Sequence, residues 1–375
     1  MPDKIAVLGI GLIGGSLALG LKERTNSYVI GFDISEQDLQ FAKAIGAIDE
    51  GTTELEEAVK DADVVIIALP VGKIKQAIEE LSRLPLKDNC IVTDVGSTKA
   101  EIVRSGQKLS ERGIVFIGGH PMAGSHQSGI KAARSLLFEN AYYVLTPEPH
   151  TSLAAVQKLS RLLTLATKAE LVIMDPVHHD RIVGAISHLP HIIAAGLVNM
   201  VGDYHEDNEW FHRLAAGGFR DLTRIGASHP IMWRDVLLTN RNELIKLMDD
   251  WLDQMSRVRS AIIEKDPDRI ERFFTRSKAI RGRLPDRRKG MLERRYTLYI
   301  DVPDRPGIIG KVATLLGEKQ INISNLEVME NREEIPGVLK LTFKKEMHYR
   351  NAVKALRAAD YLVFEEEERL EEIRV

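Results

Sequence analysis

Cysteine is nearly absent from this 375-residue chain: Cys90 stands alone. One thiol excludes any disulfide framework within the chain, which suits a reducing compartment. Its apolar surroundings, Asn89–Thr93, make Cys90 a small core residue. Long hydrophobic runs are also missing, and none approaches the ~18 residues needed to span a bilayer. The first residues enter a strand and a glycine-rich turn without the cationic start and cleavage site of a secretion signal, so a cytosolic protein is expected. Charge of one sign is scarce as well. The 51 basic and 54 acidic residues leave a net charge of −3, with no general pull toward nucleic acid or an anionic membrane. What is present is ordinary for a globular protein: 44% hydrophobic and 28% charged residues, in a chain long enough for two or three domains.

Residues 1–173 alternate short Val- and Ile-rich runs with amphipathic stretches. Lys4–Leu8, Tyr28–Phe32, Val64–Leu69, Ile91–Thr93, Val115–Ile117 and Tyr142–Leu145 read as buried strands, and Ile13–Lys22 and Lys73–Leu81 as helices between them. Such alternation implies an α/β, Rossmann-type doubly wound sheet. Residues 174–290 lose the strand signal. Pro176–Gly202, Phe211–Leu214, Ile231–Arg259 and Asp268–Ile280 carry helical periodicity, with Pro190 expected to kink the first. These apolar helices suggest an all-helical domain that forms a homodimer. The basic stretch Arg281–Arg295 reads as a solvated linker rather than a nucleic-acid patch, because no aromatic residues interleave its charges. Residues 295–375 then give strand Tyr296–Val302, helix Ile308–Lys319, strands Ile323–Met329 and Gly337–Phe343, helix Tyr349–Ala358 and strand Leu362–Glu366. That βαββαβ order is ferredoxin-like.

Gly9-Ile10-Gly11-Leu12-Ile13-Gly14 follows the first strand and opens a helix. Gly9 permits the turn, Gly11 lets backbone approach a pyrophosphate, and Gly14 allows close helix–sheet packing. The helix start, through Leu12 and Ile13, offers free N–H groups to phosphate. Asp33 ends the second strand, where its carboxylate can accept the adenosine ribose hydroxyls and repel a 2′-phosphate, so the expected cofactor is NAD rather than NADP.

Two further strand ends carry candidate chemistry. Asp94-Val95-Gly96-Ser97-Thr98-Lys99 offers Ser97, either a helix cap or a catalytic hydroxyl. Gly118-Gly119-His120-Pro121-Met122-Ala123-Gly124-Ser125 places His120 in what reads as a tight, open turn with an exposed imidazole. His178, His179, Asp180, His188 and His191 are metal-ligand types. However, no H-E-x-x-H or Cys/His spacing organises them, and no metal is expected.

Gly9–Ser16, Asp94–Lys99, Gly118–Ser125, Ser187–His191, Gly217–Ile225 and Pro230–Asp235, in that order, resemble the prephenate dehydrogenase family. Asp301–Gly307 with Ile321–Ile323 resembles an ACT domain. The resemblance implies NAD-dependent oxidative decarboxylation of prephenate to 4-hydroxyphenylpyruvate, on the way to tyrosine. It implies His120 as acceptor of the ring-hydroxyl proton and Ser97 as its partner on that hydroxyl. Arg224 becomes a carboxylate clamp, with a salt bridge to Asp221 as the alternative. His188, His191 and Trp233, with Gly217, Asp221 and His179, would line the substrate pocket, His179 with Asp180 serving as a polar brace. Tyrosine would bind the ACT domain near Asp304, Gly307 and Asn322 as a feedback effector, dimerisation being that domain's alternative role. Arogenate dehydrogenase and a non-catalytic NAD and amino-acid sensor remain the competing readings. No appended chorismate mutase module is expected, since the dinucleotide fold begins at Lys4.

Overall fold

A computed structural model describes residues 3–124, 127–283, 296–303, 305–329, 337–343 and 345–365. Ser125, Asp304, Glu366 and most of the basic stretch after Arg281 lie outside these. The chain divides into two compact units, Met1–Gly290 and Met291–Val375.

The first unit is built on eight strands: β1 Lys4–Leu8, β2 Tyr28–Phe32, β3 Glu50–Thr52, β4 Val64–Ile67, β5 Ile91–Asp94, β6 Val115–Pro121, β7 Tyr142–Thr146 and β8 Glu170–Ile173. They lie in the order β3-β2-β1-β4-β5-β6-β7-β8. Every pairing is parallel except β6 with β7, so the doubly wound sheet is mixed. Strand periodicity explains the two-sided core. In β1, Ile5 and Val7 enter one hydrophobic cluster while Ala6 and Leu8 enter the other, and Val64/Ile66 and Val65/Ile67 of β4 divide the same way. β3 and β8 are edge strands of three and four residues with exposed or half-exposed side chains, too short to stand out in the sequence.

The helical half departs from its periodicity at two places. Pro176–Val183 is α-helical, Gly184–His188 forms a π-turn, and Leu189–Asp207 resumes the α-helix. Pro190 sits just after that turn, and the wider π-spacing accommodates a residue that cannot donate its own hydrogen bond. The second break is Asn240, which separates Pro230–Thr239 from Arg241–Ile263. The periodic run Ile231–Arg259 is therefore two helices. Pro176–Glu206, 31 residues long, is also apolar enough by length and composition to cross a membrane, which corrects the expectation that nothing in the chain approaches that limit.

The second unit has strands β9 Tyr296–Val302, β10 Asn325–Met329, β11 Gly337–Phe343 and β12 Val363–Glu365 in the order β10-β11-β9-β12, all antiparallel. Helices Ile308–Glu318 and Glu346–Arg357 supply Val312, Leu316, Ala352 and Leu356 to a core with Leu298, Ile300, Leu339 and Leu341. This is the βαββαβ arrangement expected from the sequence.

Candidate active site

The turn after β1 is shaped by close approach. Gly9 has φ +94°, and a Cβ there would lie 2.6 Å from the Ala68 carbonyl oxygen. A Cβ on Gly14 would lie 1.9 Å from the Gly9 carbonyl oxygen, so helix Leu12–Arg24 can cross the turn only with glycine there. At Gly11 a Cβ would meet no atom within 4 Å. Among the described residues, the N–H groups of Leu12, Ile13 and Gly14 have no backbone acceptor outside the helix. An open approach and free donors at a helix start fit a pyrophosphate. Asp33 Oδ2 accepts from the Ile10 N–H at 2.8 Å and Oδ1 from the Ser35 N–H at 3.0 Å. The carboxylate is thus locked against the turn, with lone pairs left for ribose hydroxyls. We expect Asp33→Asn to raise the Kd for NAD by about tenfold, the span of one charge-assisted hydrogen bond, while NADP binding changes less. Equal changes in titrations with the two nucleotides would contradict the assignment.

The turn expected at His120 does not exist. β6 continues through His120 to Pro121 because β7 pairs with it antiparallel, His120 opposite Val144. The glycines serve close packing instead, since a Cβ on Gly119 would lie 2.5 Å from the Asp94 carbonyl oxygen. His120 is half-buried rather than exposed. Its Nδ1 is 2.8 Å from His179 Nε2, and His179 Nδ1 is 2.8 Å from Asp180 Oδ1. Asp180 also accepts the Lys99 N–H on Oδ1 at 2.7 Å and the Ala100 N–H on Oδ2 at 2.8 Å. Those are the first donors of helix Ala100–Ser110, so Asp180 is its cap, across 80 residues of sequence. Ser97 does not cap that helix; Lys99 holds the cap position, and Ser97 remains half-exposed in the loop after β5.

For two neutral rings these contacts fix the tautomers. Asp180 can only accept from His179, so His179 carries its proton on Nδ1 and leaves Nε2 bare. His120 must then donate from Nδ1, which leaves His120 Nε2 with a free lone pair. Burial pushes the His120 imidazole well below its usual pKa, and His179, Lys99 and His188 push it the same way. His179 is buried with both ring nitrogens engaged, so it acts through His120 and does not line the pocket as the sequence suggests. Below this pair, Asp94 accepts from Gly96 N at 2.8 Å, from Gly119 N at 3.1 Å and from the buried Lys99 ammonium. One carboxylate therefore ties the Ser97 loop to the His120 strand. Its signal in the sequence is the five-residue spacing between Asp94 and Lys99, but only the fold shows that both are buried.

His188 and His191 come together on Trp233. His191 stacks on Trp233 with ring centroids 3.9 Å apart, and His188 meets the same indole edge-on at 5.8 Å. Helix Pro230–Thr239 reaches the sheet domain through Val236, buried in the same cluster as Ile74, and through Thr98 Oγ1, 3.0 Å from Thr239 Oγ1. Gly217 and Asp221 lie on helix Gly217–Thr223, and Arg224 opens the turn Arg224–Ala227 that packs on Leu189–Asp207. Arg224 is exposed, and among the described residues it forms no ion pair with Asp221. The described residues also hold no group of three or more His, Cys, Asp or Glu placed around a metal.

Comparison with known proteins agrees with this architecture. Residues 17–173 match the family model described as prephenate dehydrogenase, nucleotide-binding domain; 175–276 match prephenate dehydrogenase, dimerization domain; and 296–360 match the ACT domain. A prephenate dehydrogenase of Bacillus subtilis is 40% identical over 97% of this chain and 98% of its own length. A crystal structure of prephenate dehydrogenase from A. aeolicus, in complex with hydroxyphenyl propionate and NAD+, has a TM-score of 0.69 at 29% identity, covering 76% of this chain and 99% of that one. Synechocystis arogenate dehydrogenase has a TM-score of 0.67 at 30% identity, over 75% of this chain and 100% of its own.

Proposed function

The chain belongs to the prephenate dehydrogenase family, and we propose from this that it oxidises prephenate to 4-hydroxyphenylpyruvate and carbon dioxide, with NAD, for tyrosine synthesis. The observation that carries the chemistry is the chain His120–His179–Asp180, which leaves His120 Nε2 as a bare, neutral base. When bound, NAD takes up the hydride from the ring carbon that bears the hydroxyl. His120 accepts the hydroxyl proton as the hydride leaves, and Ser97 holds the same hydroxyl in line. Aromatisation of the ring then drives loss of the ring carboxylate, so the protein supplies no electron sink of its own.

Prephenate is a dianion, and Arg224 is the cation assigned to one carboxylate. Its exposed guanidinium, free of Asp221, can offer two parallel hydrogen bonds. Arg224→Ala should raise KM for prephenate by about tenfold or more and change kcat little, as for a lost charge-assisted contact. An unchanged KM in steady-state assays would move the role to another cation. His188, His191, Trp233, Gly217 and Asp221 are assigned to the rest of the pocket.

The helical half is assigned to a homodimer. Val198, Met200, Tyr204, Trp210, Phe211 and Leu214 are exposed there, more apolar surface than water tolerates well, and the matched family model is a dimerization domain. A monomer mass from light scattering on active protein would contradict this. In the second unit, Gly307 has φ +86° and opens helix Ile308–Glu318, and exposed Asn322 follows that helix. We assign tyrosine to this surface as the effector, and a cytoplasmic location to the enzyme.

The direct test is NADH formation with prephenate and with arogenate in parallel, each repeated with added tyrosine. Prephenate should be oxidised and tyrosine should slow the reaction. Turnover of arogenate alone would reassign the substrate, and no turnover of either would leave the sensor reading.

A further inference from the structure

Asn240 is buried at the break between two helices, and its side chain faces two groups at once. Nδ2 lies 2.9 Å from the main-chain oxygen of Asp180 and 3.0 Å from His188 Nδ1. A carbonyl oxygen can only accept, so the group turned toward Asp180 must be the amide NH2, and the choice between amide orientations is settled. Its second proton then points at His188 Nδ1, which must be the bare nitrogen of a neutral ring. His188 therefore carries its proton on Nε2, and no described residue takes that N–H. Asn240 is held closely here: a Cβ on Gly184 would lie 2.7 Å from Leu247 Cδ1 and 3.3 Å from Asn240 Nδ2.

We propose that Asn240 is a positioning residue that locks His188 as its Nε2–H tautomer, making it a fixed hydrogen-bond donor to an acceptor oxygen of the substrate. His191 donates from Nδ1 to the Ser187 carbonyl oxygen at 2.8 Å, so Nε2 is the nitrogen it leaves unbonded, and both rings meet the Trp233 indole. Burial lowers the His188 pKa to about 4, so near neutral pH it donates without carrying charge. The same amide also holds the carbonyl of Asp180, the carboxylate that orients His179. One side chain thereby fixes substrate contact and base in a common frame.

This rests on the functional reading above, and the test separates the two. In the full-length protein with 15N-labelled histidine, the His188 signals, assigned by comparison with His188→Gln, should show protonated Nε2 and bare Nδ1. Asn240→Asp places a carboxylate oxygen opposite Nδ1 and should move the proton there or add a second one. It should raise KM for prephenate by about tenfold, the span of a lost buried hydrogen bond, with kcat changed less. In a His188→Gln background the same substitution should add little to KM, which a general packing defect would not reproduce. A wild-type ring protonated on Nδ1 would overturn the proposal, as would equal losses from Asn240→Asp in both backgrounds. If the wild type makes no NADH from prephenate, the functional reading fails while the tautomer spectrum still decides the role of Asn240.

Discussion

Replacing His120 with Asn should lower kcat for prephenate by ~10²–10⁴-fold, the usual span for a lost general base, and leave the Kd for NAD nearly unchanged. Asparagine is the informative substitution because its amide can still donate to His179 Nε2, now held 2.8 Å from His120 Nδ1. The strand would stay paired through the main chain of β6 and β7, so the loss reports chemistry and not unfolding. Steady-state rates with prephenate, alongside nucleotide titration, measure both quantities. Near-wild-type turnover would remove His120 from the reaction.

Asp180→Asn should lower kcat by an amount on the order of 10³, although Asp180 is buried and its carboxylate is occupied by His179, Lys99 and Ala100. Three donors converge on the two carboxylate oxygens: the main-chain N–H groups of Lys99 and Ala100, and His179 Nδ1–H. An amide can accept on one side only. If its NH2 takes the Oδ1 side, the Lys99 N–H loses its acceptor, the His179 proton moves to Nε2, the His120 proton moves to its own Nε2, and the lone pair for substrate is gone. If it faces Ala100, the helix loses one of its two capping bonds, about 1 kcal/mol, and the His179 tautomer is kept. Neutralising the carboxylate that orients a catalytic histidine has reached losses of about 10⁴-fold in a serine protease. Thermal unfolding measured with the kinetics separates the outcomes: a lowered Tm with full turnover would make Asp180 a cap alone.

Much of this was legible in the sequence wherever the cause is local. The Gly9–Gly14 spacing after an apolar strand fixes a turn and helix start, and the structure adds only the clash distances that require glycine. The βαββαβ order of the last 80 or so residues follows from apolar periodicity. His120 itself is visible as a motif, yet its conformation is not. Glycine and proline there suggest a turn, but pairing with β7 overrides that local preference and leaves the residue half-buried. The cap of helix Ala100–Ser110 lies outside sequence reasoning for the same reason, because Asp180 comes from another element. Asn240 looks like any polar residue inside a helical run. Its role depends on the π-turn at Gly184–His188, which periodicity reads as continuous helix.

The central claim is that a neutral His120, with Nε2 bare, accepts the substrate proton. The most direct measurement is kcat/KM for prephenate against pH, for the wild type and for His120→Asn. Protonation removes the base, so activity must fall as pH drops through the His120 pKa. Burial sets that value well below 6.5, so the wild type should stay active through pH 6.5 and lose activity only at lower pH. His120→Asn should retain no such limb in its residual rate. An acid limb at or above pH 6.5, or the same limb persisting in the variant, would contradict the account.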